Sequence, residues 1–356
     1  YTGLTPGTVT DPMKGGVINP ISVYPFPNFK AEQTKSYELG TNLRLFNNKI
    51  NIDATVYLTD TYNQTFLSSM SPASGYSGFY VQAGKVRNKG IELSLGYNDR
   101  FGKVGYATNL TYTANRNKIM KMVHDYKNPS DGSLFSITEL TLQDKGGVYL
   151  REKDAIGDVY VKGILARGKD GKLIEEEGGY KVDRSQRIKI GSVNPDFSIG
   201  WRHNVTWNNI TLDLLFNGRF GGIVTSSTQA FLDDYGVSKD TYKARQNGGV
   251  WVNGTQYDAE KYYTTIGGEQ LMAYYAYKAT NIRLQEASLS YTLPGKWFGN
   301  VINRLTVSAI GRNLWMIYNK APFDPEMTSS TGTYNRGDVF MPPSLRSVGF
   351  SVKIEL

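Results

Sequence analysis

Gly163, Gly168 and Lys169 carry the spacing of a phosphate-binding loop, with Asp170 where that motif places a magnesium-binding Ser or Thr. A phosphate cradle also needs a buried strand before it and a helix after it. Neither pattern flanks this segment, so it reads as a loop turn. His203 is a candidate general base, but a hydrolase needs a Ser and an acid oriented around it. Spacing supplies neither, and His203 instead alternates with Trp201 and Val205 on the apolar side of a strand pattern. His124 is a lone loop histidine. The chain has no Cys and only these two histidines, which removes thiolate and His-rich metal sites. No catalytic residue, metal or cofactor is expected, and the chain is not read as an enzyme.

The remaining chemistry is aromatic. Trp251, Tyr257, Tyr262, Tyr263, Tyr274, Tyr275 and Tyr277 crowd one long connection, and Phe323 and Tyr334 lie in another. Flat rings with polar tips suit stacking on sugars or peptide side chains, docking of a lid protein, or packing among the loops themselves. Trp207, Trp297 and Phe298 sit instead near short turns, where amphipathic rings favour a lipid headgroup region.

The elements that position these residues are strands. Apolar residues alternate in Tyr37, Leu39, Leu43 and Leu45, and after an Asn47-Asn48 turn in Ile50, Ile52, Ala54, Val56 and Leu58. The pattern returns around residues 91–97, 106–112, 197–207, 210–220, 281–293, 304–318 and 348–356, which makes nine long strands. The phase breaks once: Ile282 and Leu284 lie on the opposite register from Ala287, Leu289, Tyr291 and Leu293. A bulge near Gln285, or entry of the strand above the apolar layer of a membrane, would each explain that. Short turns near 47–48, 99–103, 208–209 and 294–303 alternate with long connections near 64–84, 118–194, 222–279 and 319–342.

No apolar run approaches the roughly 18 residues of a membrane-spanning helix. Mean hydropathy of −0.40 is nevertheless compatible with a transmembrane β-barrel, whose strands are apolar on one face only. Short turns on one side and long loops on the other fit such a barrel better than a soluble sandwich. The 40 basic and 32 acidic residues leave a net charge of +8, read as a solvated basic surface rather than a nucleic-acid footprint. Glu38, Arg44, Asp53, Glu92, Arg202, Asp213 and Arg219 fall opposite the apolar set and are expected to face a lumen, some of them paired with a plug. Nine strands alone would close at roughly 18 Å with a parallel seam, and an open sheet would leave unpaired backbone in lipid. Further strands are therefore expected outside this sequence.

Four segments, in order, resemble the SusC/RagA family of TonB-dependent outer-membrane transporters. They are Gly191 to Phe197 with its Asn194-Pro195-Asp196 core, and Ala279 to Pro294. Gly311 to Trp315 followed by Asp324-Pro325-Glu326 is the third, and Pro342-Pro343 leading to Arg346 and the final strand is the fourth. The resemblance implies an all-β, 22-stranded barrel in a Gram-negative, Bacteroidota-type outer membrane, of which residues 1–356 are the C-terminal part. Residues 1–33 would be an extracellular loop, and the plug would lie outside the sequence. Implied partners are a SusD-like surface lipoprotein, TonB-ExbB-ExbD acting through an N-terminal segment, the remaining strands and plug, and outer-membrane lipids, but no nucleic acid. The implied activity is import of an oligosaccharide or peptide.

Two features depart from that family. Its barrels usually end in an aromatic residue, whereas the last residue here is Leu356. A calcium-type loop ending at Glu177 would begin with Ala166 and Gly168, which supply no side-chain oxygen, so no calcium is expected. The rival readings are an adhesin or structural barrel without active transport, and an outer-membrane hydrolase using His203.

Overall fold

The computed structural model describes residues 23–24, 30–69, 78–127, 132–142, 148–299, 301–329 and 337–356. Nine long strands carry the fold: β1 (Gln33–Leu45), β2 (Ile50–Ser69), β3 (Gly78–Phe101), β4 (Val104–Lys121), β5 (Phe197–Trp207), β6 (Ile210–Phe220), β7 (Asn281–Pro294), β8 (Arg304–Asn319) and β9 (Ser347–Glu355). Each pairs with its neighbours in chain order, so the sheet is a continuous meander from β1 to β9. Its two edges, β1 and β9, do not pair with each other among the described residues. The chain is thus an open run of barrel-type strands, as the sequence implied.

Strand length departs from expectation. Apolar alternation stops at Leu58, Ile91 and Tyr112, yet β2, β3 and β4 extend to 20, 24 and 18 residues. Backbone pairing does not require apolar side chains, so the ladder continues through polar sequence. The connection expected at 64–84 narrows accordingly to 70–77, outside the described residues.

By contact the chain divides into two compact units, and four of the strands, β1 to β4, contribute to both. One contains residues 1–37, 57–89 and 116–158. Of its N-terminal part, expected as a loop over 1–33, Val23–Tyr24 pairs in parallel with Gly78–Phe79 and residues 1–22 lie outside the described residues. Its buried side chains include Val81, Val86, Ile119, Met122, Leu142 and Leu150. Hairpins at 123–127 with 134–137 and 139–142 with 148–151 lie within the long connection expected at 118–194.

The other unit contains residues 38–56, 90–115 and 159–356. Within it β5 and β6 pair in uninterrupted register from Phe197↔Phe220 to Trp207↔Ile210. β7 follows β6 except at Gln285: Leu215 pairs with Glu286 and Phe216 with Leu284. The bulge swallows one residue and returns Ile282 and Leu284 to the face carrying Ala287, Leu289 and Tyr291, which decides the phase question.

The long connection after β6 is also folded. It forms α1 (Ser227–Asp234), α2 (Lys239–Gln246) and α3 (Ala259–Gly268). Ser226, Ser238 and Asp258 cap them by accepting backbone N–H bonds from Gln229, Thr241 and Lys261, each cap contributing about 1 kcal/mol. A side chain at Gly267 would meet the Ala230 carbonyl at 2.5 Å, so glycine is what lets α1 and α3 approach.

Candidate functional site

The strands of the second unit sort their side chains by chemistry. One face carries Phe197, Ile199, Trp201, Val205 and Trp207 on β5, opposite Phe220, Phe216, Leu214, Leu212 and Ile210 on β6. Val307, Ala309, Val352 and Phe350 continue it across β8 and β9. His203 belongs to this face, where its Nδ1 lies 3.0 Å from the Tyr106 hydroxyl and its ring packs 4.3 Å from that of Trp201. It is held among the aromatic side chains of this face, with Thr108 and Leu214 as its cross-strand neighbours.

The opposite face is polar and ion-paired. Arg202 and Asn204 both donate to Asp213, at 3.3 and 3.0 Å. Arg312 donates to Glu286 at 2.9 Å, and Asn42 to Asp53 at 3.0 Å. Arg219 donates to the Val193 carbonyl at 2.7 Å, and Glu38, Arg44 and Glu92 stand exposed. A cavity of about 520 Å³ opens on this face, lined by Asn42, Arg44, Asp53, Ser94 and Asn109. The expected lumen residues therefore share the polar side of the sheet, but Asp213 and Asp53 already have partners within the chain.

The loop aromatics divide into a core and a surface. Tyr257, Tyr262 and Tyr275 are buried with Leu165, Leu173, Ala230, Ile266 and Leu271. The Tyr257 hydroxyl accepts the Leu173 N–H and the Tyr274 hydroxyl accepts that of Leu165, both at 3.0 Å. These tyrosines thus fasten the 158–182 segment to the helices. Burial pushes the Tyr262 and Tyr263 hydroxyls up to about 12 and that of Tyr275 higher still, so none ionises at neutral pH. Tyr263 is half-buried, and Phe323 packs edge-on against Tyr277 at 5.6 Å. Trp251 is different: it is 63% exposed on a short hairpin. Tyr334 lies outside the described residues.

The expected turn aromatics Trp207 and Trp297 are more than half exposed, and Phe298 is half-buried in the one-turn helix Gly295–Phe298. Phe46 and Phe101, exposed at two further short turns, share that position and were not singled out from sequence. Asp170 accepts the Lys172 N–H within a tight turn that follows a strand and opens no helix. Among the described residues no three His, Asp or Glu side chains converge as a metal site would require.

Sequence reasoning missed a buried clasp between β7 and the last loop. Arg283, 6% exposed at the side chain, donates to Asp324 at 2.9 Å and pairs with Glu326 at 3.3 Å. Ser344 donates to Asp324 at 2.5 Å from the far end of the same loop. Burial alone would raise the Asp324 carboxyl, but the Ser344 hydroxyl, the Glu326 amide and Arg283 outweigh it and hold it below its ordinary value. The available signal was Arg283 on the polar face at the start of β7, with the acids Asp324 and Glu326 in the loop after β8.

Comparison with known proteins places this arrangement. A family model described as TonB dependent receptor-like, beta-barrel matches residues 2–214. TonB-dependent receptor P3 of Formosa agariphila is 24% identical over 340 residues, covering 89% of this chain and 33% of the relative. TonB-dependent receptor P39 of the same organism is 21% identical, covering 87% and 34%. Among solved structures, the RagAB peptide importer in its closed-closed state superposes with a TM-score of 0.67 at 19% identity, covering 91% of this chain and 35% of that one. The open-open state gives 0.64 at 20% identity, covering 94% and 36%. The chain spans about a third of the length of the proteins it matches.

Proposed function

This chain belongs to the TonB-dependent receptor-like β-barrel family, and from that premise we propose that it forms part of the wall of an outer-membrane importer. The observation that carries the reading is the sorting of side chains by face, maintained through the Gln285 bulge at the cost of an irregular ladder. An apolar outer face and an ion-paired inner face are what a strand between lipid and a polar lumen requires. Edges β1 and β9 would pair with further strands of the same protein, since unpaired backbone in lipid costs several kcal/mol per group. A plug would fill the lumen, and TonB would supply energy through a segment outside residues 1–356.

The cargo is proposed to be a peptide or an oligosaccharide. The relatives with solved structures are described as a peptide transporter and importer, which favours the peptide. A surface lipoprotein is the proposed partner, meeting the loop module on its exposed side near Trp251. The test is uptake of labelled oligopeptides and oligosaccharides by cells lacking the gene. Loss of uptake of one class, reproduced in wild-type cells by a protonophore, is the expected result. Uptake unchanged in both conditions would refute import and leave a structural or adhesive role.

A further inference from the structure

We propose that the outward face of β1–β4, beyond its apolar band, binds the phosphate headgroup of an anionic lipid; this rests on reading these strands as a membrane wall. One register joins β2 and β3: the Asn98 N–H donates to the Lys49 carbonyl, and Arg87 meets Asp60 bidentately at 2.7 and 2.8 Å further along the same pairing. Alternation therefore keeps the odd positions of β3 on one face. They read Tyr97, Leu95, Leu93 and Ile91, and then Lys89, Arg87 and Lys85.

The neighbouring strands change at the same level. On β1 the sequence of that face runs Leu45, Leu43, Thr41, Leu39, Tyr37 and then Lys35. On β4 it runs Tyr106, Thr108, Leu110, Tyr112, Ala114 and then Arg116 and Lys118. Asn88 and Asn117 bond across β3 and β4 at 2.8 Å on the other face, which sets Lys89 beside Arg116 and Arg87 beside Lys118. Like charges opposite one another destabilise a sheet unless an anion neutralises them.

Six cations thus stand with a single acid on these positions among the described residues. Asp60 is 5% exposed and its charge is already shared by Lys85 and Arg87. The Tyr62 ring lies under Lys85 at 5.1 Å and Lys35 at 5.8 Å, an amphipathic ring at the edge of the apolar band. The same face of β5–β8 ends instead in Phe197, Phe220, Ile282 and Tyr318. A row of exposed lysines next to lipid-facing side chains is the setting in which each cation adds to anionic headgroup affinity. Lys35, Lys89 and Lys118 are exposed and carry no ion pair among the described residues, so they can be removed without orphaning Asp60.

The experiment uses the full-length protein reconstituted in phosphatidylcholine nanodiscs and then titrated with phosphatidic acid of the same acyl chains. Wild type should insert and retain phosphatidic acid over phosphatidylcholine. Lys35→Gln, Lys89→Gln and Lys118→Gln together should lower that preference at least about tenfold, and Lys89→Gln alone by about threefold. Lys103→Gln, in the turn at the other end of β3, should change nothing. An undiminished preference in the triple variant, or displacement of the lipid by an equal concentration of inorganic phosphate, would overturn the proposal. Insertion without any preference would overturn it alone, whereas failure of wild type to insert would overturn the membrane-wall reading and this proposal with it.

Discussion

Gln285 donates its side-chain amide to the Asn313 Oδ1 at 3.0 Å at the level where β7 breaks register with both of its neighbours. Asn313 has a φ of 51°, a left-handed backbone that asparagine tolerates better than most residues, and its own amide reaches the Leu345 carbonyl at 3.1 Å. The pair therefore closes two facing irregularities and ties them to the chain leading into β9.

Asn313→Gly keeps the backbone conformation and loses both hydrogen bonds, which should cost about 1–2 kcal/mol. Asn313→Val adds the left-handed strain and should cost roughly a further 1–2 kcal/mol. Denaturant midpoints of the two variants in detergent would check the order; equal midpoints would show that the bulge does not depend on this φ.

Removing the Arg283 charge leaves Asp324 buried without its cation. Arg283→Met should destabilise by about 3–5 kcal/mol and expose the 320–346 loop to protease. The depressed Asp324 carboxyl adds a pH dependence. Its stabilisation is fully present above the ordinary value of 3.8 and is lost as pH falls below it, through the folded value. Protease susceptibility of the loop should accordingly rise only in acid, and Asp324→Asn should abolish that rise.

Asp233 has the opposite sign. Burial raises its carboxyl, against the Gln229 side-chain amide, which donates to it at 3.0 Å and favours the charged form. The folded state prefers the protonated acid, so its contribution is greatest below 3.8 and declines as pH rises through the folded value. Asp233→Asn should flatten the stability of the helical module between acid and neutral pH, measured by hydrogen exchange of α1.

Core and surface aromatics of the loops should respond differently. Tyr275→Ala should cost about 3–5 kcal/mol, and Tyr257→Phe about 1–2 kcal/mol through the unpaired Leu173 N–H. Trp251→Ala should stay within about 0.5 kcal/mol of wild type. Reduced uptake in Trp251→Ala cells at normal surface abundance would assign that side chain to cargo or partner contact; normal uptake would remove it from the site.

The outward face can be read by fluorescence. With other tryptophans replaced by Phe, Trp201 should be quenched by lipids brominated along the acyl chain, while Trp251 should not. Equal quenching of the two would contradict the assignment of faces.

Much of this was legible in the residues themselves. Leu212, Leu214 and Phe216 against Thr211, Asp213 and Asn217 announce a two-faced strand, and all nine strands follow from such runs. The family resemblance likewise rested on local segments. The candidate site was less legible. Tyr275 and Trp251 look alike in sequence, 24 positions apart in one aromatic-rich connection, yet one is 1% and the other 63% exposed. Nothing local separates them, because burial of Tyr275 depends on Leu165 and Leu173 arriving from another loop.

Side-chain alternation has a period of two and needs only the backbone of a single strand, so the sequence by itself determined which nine segments form the long strands and the two faces of their alternating runs. Pairings between distant residues have no such local signature. The closing of Asp324 on Arg283, the extension of β2–β4 into polar sequence, the helical core around Tyr275 and the choice of a bulge at Gln285 were decided by tertiary structure. In each case the stabilising partner lies on another element, and only the folded chain brings the two within bonding distance.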